Sequence, residues 1–140
     1  MTTPVWMLLG FATWTVLLLL GTVGVYRWSR ILTGRVAMRD FRADQIEGED
    51  WYKRAMRAHA NCVENLPVFG AIVFALHVAG AGGATVNALA VAVLAARVVQ
   101  SLVHVALVQT NAVVAVRFAF FLVQIGAFLS LVAILVGQGA

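Results

Sequence analysis

Residues 4–26 read PVWMLLGFATWTVLLLLGTVGVY and carry no charged side chain. A helix that crosses the hydrocarbon core of a bilayer needs about 20 predominantly apolar residues, and this stretch supplies them. A cleaved signal peptide would open on basic residues and hold an apolar core of only about 7–15 residues. Neither feature is present, so the segment is expected to be a retained first membrane span. Working outward, the remaining chain repeats the pattern. The 140 residues are 62% hydrophobic and only 11% charged, with a mean hydropathy of +0.92. A soluble domain of this size cannot bury so much apolar surface, which leaves the bilayer as its natural solvent.

Three further spans follow, at about 61–79, 85–107 and 113–136, separated by the turns AGAGGA (79–84) and VQTNA (108–112). The length suits one domain over residues 1–140, all-α, built as an integral membrane four-helix bundle. Between the first two spans lies a charged loop at about 27–57, in which WYKRAMRA (51–58) has the composition of a helix beginning before it enters lipid. Eight of the ten Lys/Arg residues fall between Arg27 and Arg57, interleaved with Asp40, Asp44, Glu47, Glu49 and Asp50. Mixed signs beside a membrane span describe a flanking loop rather than a nucleic-acid footprint, so no nucleic-acid partner is expected. Lys and Arg concentrate on the cytoplasmic side of membrane proteins. That rule places the first loop in the cytoplasm and both termini on the opposite side. The single cysteine, Cys62, excludes an intrachain disulfide.

The charges that remain are few and share one depth. Arg57, Asn61 and Glu64 are spaced i, i+4, i+7 at the entry of the second span, which stacks them along one helical stripe. Arg97, Gln100 and His104 are spaced i, i+3, i+7 and do the same on the third, Arg97 lying roughly 10 Å deeper than His104 at 1.5 Å per residue. Arg117 sits just inside the start of the fourth. A charged side chain at mid-bilayer costs roughly 2.5–3.5 kcal/mol on insertion scales, so it is normally paired or faces a wet cavity. Two arrangements satisfy that constraint. Glu64 can tie to Arg97 or Arg117 between helices, with Asn61 and Gln100 completing the hydrogen bonds. Alternatively, the stripes line a pocket open to the cytoplasm, whose excess of positive charge from Arg54, Arg57, Arg97 and Arg117 over Glu64 asks for an anion. No metal is expected, since no Cys/His/Asp/Glu set has ligand spacing.

RAMRAHANCVENLPVF (54–69) resembles the signature of the MAPEG family, the membrane-associated proteins of eicosanoid and glutathione metabolism. The family pattern of Arg, Asn four residues on, Glu three later and a Pro shortly after falls here on Arg57, Asn61, Glu64 and Pro67. ARVVQSLVH (96–104) resembles the arginine-led stripe of the family's third helix, and Arg117 resembles the arginine that opens its fourth. The resemblance covers essentially the whole chain, and the ENLPVF form is most similar to bacterial members, which implies a bacterial inner membrane.

The resemblance implies a homotrimer that holds glutathione, as cosubstrate, between neighbouring subunits near the cytoplasmic face. Arg54, Arg57, Asn61, Glu64, Arg97, Gln100 and His104 would form its binding site. Arginines suit its carboxylates, and Glu64 suits its ammonium. Arg117 would lie near the sulfur and favour the attacking thiolate. The implied activity is that of a microsomal-type glutathione transferase or peroxidase, acting on lipophilic electrophiles or hydroperoxides that enter from the membrane lipid. This chain departs from the pattern at Gln100 and His104, where several characterised members carry histidine and tyrosine. It departs again at Phe118 and Phe121, where some active members carry hydroxyls. The family also includes a lipid-binding scaffold without turnover, and a non-catalytic protein of the same fold is the alternative reading.

Overall fold

The computed structural model describes residues 1–42 and 44–139, and among them every regular element is helical. Four helices are long and apolar enough to cross a membrane. They are α1 (Thr3–Leu32), α2 (Asp50–Val78), α3 (Ala84–Ala106) and α4 (Asn111–Gly139). At 1.5 Å per residue, the 29 residues of α2 span about 43 Å, more than the ~30 Å hydrocarbon core. Its first two turns, which carry Lys53, Arg54 and Arg57, therefore project beyond that core when the helix crosses it.

Helix α1 runs six residues past the end expected from its apolar stretch. Arg27 and Arg30 fall where the charge pattern predicts loop, but each has a partner that lets the helix continue. Arg27 Nε donates to the Tyr52 hydroxyl at 2.9 Å, and its guanidinium lies 5.4 Å from the Phe41 ring centroid. Arg30 pairs with Glu49 and lies over the Tyr26 ring. Between its two α-helical parts, Leu19–Gly24 widens into a π-helical turn. Gly21 and Gly24 lie in it, and the Thr22 hydroxyl bonds back to the Leu18 carbonyl, a competition with the backbone that commonly accompanies such irregularities.

The irregular segment before α2 is held by aromatic packing. Tyr26 stacks on Tyr52 with centroids 4.1 Å apart and meets Trp51 edge-on. Gly48, at φ +135°, fits beneath them: a Cβ there would stand 2.6 Å from the Tyr26 hydroxyl oxygen. At its other end α2 closes in a Schellman motif. Ala81 N–H donates to the Leu76 carbonyl and Gly80 N–H to that of His77, with Gly80 left-handed at φ +64°.

Helices α1, α2 and α3 pack against one another, while α4 lies on α3 and touches α2 only lightly. The main core runs through Phe11, Phe69 and Phe128, whose rings from α1, α2 and α4 pass from one to the next at 6.0 and 5.9 Å. Outward faces are apolar, as at Leu17, Phe74, Leu122 and Val136. Because α4 meets α2 so lightly, its N-terminal half stands away from α2 and leaves a cleft between them, floored by α3.

Candidate functional site

The cleft has a volume of about 250 Å³. Helix α2 contributes Asn61, Glu64 and Asn65, α3 contributes Arg97 and Gln100, and α4 contributes Arg117 with Val114, Phe118 and Phe121. The Asn61–Glu64 part of the stripe predicted on α2 and the Arg97–Gln100 part of that on α3 thus face one another, and Arg117 joins them. Arg57 and Arg54 lie one and two turns nearer the start of α2 and line a second cleft of about 240 Å³, with Asp50, Lys53, Val108 and Gln109. Arg54 also donates from Nε to the Val105 carbonyl at 3.2 Å, tying α2 to the end of α3. His104 is buried at 3% exposure and lines neither cleft.

Within the main cleft the charges are not matched to one another. Arg97 is 1% exposed, yet its Nε and one terminal nitrogen, Nη2, have no hydrogen-bond partner. Its guanidinium rests 5.5 Å from the Phe11 ring centroid, a cation–π contact that offsets only part of the desolvation. Arg117 Nε is likewise enclosed without a partner. Glu64 is exposed, and among the described residues no salt bridge ties it to either arginine. The interhelical tie that could have accounted for these charges is therefore not formed within the chain.

Gln100 turns most of its hydrogen bonding toward α4. Its Nε2 donates to the Arg117 carbonyl at 2.9 Å, and its Oε1 accepts from Gln124 Nε2 at 3.0 Å. Gln124, fully buried, also donates to the Phe120 carbonyl. This residue escaped the sequence reading, although a signal was there. It stands seven residues after Arg117, two turns on along the same face, in an otherwise apolar stretch. Asn65 was also missed; it donates to the Asn61 carbonyl at 2.8 Å, bracing the α2 wall. Behind that wall, Cys62 Sγ lies 3.5 Å from Ser101 Oγ, whose hydroxyl donates to the Arg97 carbonyl. Elsewhere on α2, His59 Nδ1 is enclosed without a hydrogen-bond partner. Among the described residues no group of three His, Cys, Asp or Glu side chains could hold a metal ion.

The arrangement is a membrane-depth cleft with two guanidinium groups short of partners, one free carboxylate, three side-chain amides and an aromatic wall. Over residues 4–137 the chain matches the family model of the MAPEG family. The protein belongs to the MAPEG family. Neither the comparison with curated proteins nor that with solved structures returned a match. As a MAPEG protein with four apolar helices of spanning length, it is a multi-pass integral membrane protein. Its outward apolar faces thereby meet lipid, and the cleft lies among membrane-spanning helices.

Proposed function

We propose that this MAPEG protein binds glutathione in the cleft between α2, α3 and α4 and presents it as a thiolate to lipophilic electrophiles or hydroperoxides. The observation that carries the reading is Arg97, enclosed in the bundle with two nitrogens unpartnered. Unpaired buried charge is costly, and an arriving anion relieves that cost. Glutathione has two carboxylates and one ammonium. Arg97 suits one carboxylate and Arg57, one turn before Asn61 on α2 and facing the second cleft, suits the other; Glu64 with Asn61 suits the ammonium, and Arg117 is left for the sulfur. A cation beside a thiol lowers its pKa from about 8.5 toward neutrality, and the thiolate is the nucleophile. Its attack on an electrophilic carbon forms the C–S bond as the leaving group departs. Val114, Phe118 and Phe121 give the apolar acceptor a surface beside that sulfur.

The cleft of one subunit, at about 250 Å³, falls below the ~300–1,000 Å³ usual for small-molecule sites, and Glu64 stands uncovered at its edge. A neighbouring copy laid over that edge would enclose both, which supports a homotrimer with the ligand between subunits. Arg54, Arg57 and Lys53 then mark the cytoplasmic side by the positive-inside rule, with the termini opposite, in an orientation suited to a bacterial inner membrane. Gln100 and His104 support the cleft from its floor and from behind it.

Calorimetric titration of the purified protein with glutathione tests binding, and the ultraviolet absorbance of bound thiolate near neutral pH tests activation. One observation favours a second reading, a non-catalytic lipid-binding protein of the same fold. Phe118 and Phe121 place rings, not hydroxyls, along the α4 wall. Binding without a thiolate band or any turnover would select that reading.

A further inference from the structure

We propose that Gln100 and Gln124 form a clamp between α3 and α4 that sets where Arg117 stands in the cleft, making both glutamines positioning residues. From Asn111 to Val123 no residue of α4 is buried; Gln124 is the first. In lipid there is no hydrophobic drive to hold this half of the helix against α3, and interhelical hydrogen bonds and packing have to do it. Among the described residues, the side-chain hydrogen bonds between α3 and α4 are those of the two glutamines. Gln124 uses both hydrogens of its amide, one on Gln100 Oε1 and one on the Phe120 carbonyl of its own helix. With its oxygen so engaged, the Gln100 amide is oriented to donate to the Arg117 carbonyl. The clamp grips the backbone of Arg117, so the guanidinium stays free for a ligand. Each residue of an α-helix turns about 100° around the axis, so a modest rotation of an untethered α4 would carry Arg117 out of the cleft toward lipid. Apolar side chains at both positions would fill the space but give α4 no fixed rotation.

This inference rests on the thiolate reading for its functional consequence, and two readouts keep the two apart. Gln100→Leu, Gln124→Leu and the double variant, which leaves neither amide orphaned and so guards against misfolding, are compared with wild type. Spin labels at Val99→Cys and Val116→Cys, in a Cys62→Ala background, report the α3–α4 distance in the trimer. The absorbance of bound glutathione reports the pH midpoint of the thiolate. The clamp requires a broadened distance distribution in all three variants and a thiolate midpoint raised by about one pH unit, a tenfold loss of thiolate stability. Unchanged distances would overturn it. So would broadened distances with the midpoint still at the wild-type value, because the glutamines would then serve stability alone. A wild-type protein that binds glutathione without any thiolate band removes the functional reading, and the label distances then judge the clamp by themselves.

Discussion

Arg97 and Glu64 hold opposite charges in one cleft without forming a salt bridge, and that separation shapes what each substitution should do. Arg97 is enclosed and short of partners, so removing its charge should not weaken the fold. Replacing buried ionic groups with apolar ones of similar volume is often neutral or stabilising by about 1–4 kcal/mol. Arg97→Met is therefore expected to keep or raise the thermal midpoint in detergent while glutathione affinity falls at least about tenfold, one charge-assisted hydrogen bond or more. A fall in the midpoint with affinity intact would mark Arg97 as a structural tie. Glu64→Gln keeps the shape and removes the charge expected to meet an ammonium. Its loss should cost roughly 1.5–3 kcal/mol, about ten- to a hundredfold in Kd by calorimetry, with the oligomer unchanged by size-exclusion chromatography.

At the scale of elements, the end of the bundle that carries the charged segment is organised by contacts between the end of α1 and the beginning of α2. Tyr26, Tyr52 and Arg27 lock the two helices together, and Gly48 is the position where the intervening chain must pass close beneath a ring. Its φ of +135° and the 2.6 Å approach a Cβ would make to the Tyr26 hydroxyl leave no room for alanine. Gly48→Ala should destabilise the protein by about 1–3 kcal/mol, the usual range for forcing a side chain into such a conformation. Thermal unfolding in detergent should show the midpoint lowered, and limited proteolysis should find the 33–49 segment cut sooner. The α3–α4 pair behaves differently, since its polar contacts lie along the helices, and loosening it should change the cleft before it changes the fold.

For the whole molecule, the exposed Glu64 at mid-helix and the open cleft beside it are features of one chain taken alone. In a bilayer a carboxylate on the outside of a bundle is expected to be covered by protein or to face water. Native mass spectrometry from mild detergent should accordingly find three copies together, and glutathione should raise the fraction that survives activation. A monomer that binds glutathione with full affinity would remove the shared-site arrangement. The charged segment also predicts sidedness. In a Cys62→Ala background, Met38→Cys should react with an impermeant maleimide only when the cytoplasmic face is opened, and Thr2→Cys should react from the other side.

Much of this was legible in the order of residues. Hydropathy runs of spanning length announce helices, because the backbone in lipid must satisfy its own hydrogen bonds within each segment. The i, i+4, i+7 and i, i+3, i+7 spacings announce which polar side chains share a face, because helical geometry is local. The MAPEG pattern around Arg57, Asn61, Glu64 and Pro67 rests on that same local order. What local order cannot carry is how the helices rotate and lean against one another. Only the tertiary packing puts Arg54 and Arg57 in a second cleft beside that of Glu64, Arg97 and Arg117, encloses His104, and commits the Gln100 amide to Gln124 and the Arg117 carbonyl. It also let α1 continue through Arg27 and Arg30, since a charge ends a membrane run but does not end a helix once an aromatic ring or a carboxylate from another segment receives it. The physical reason is the same in each case: these outcomes depend on pairs of residues far apart in the chain, and their energies exist only when the helices meet.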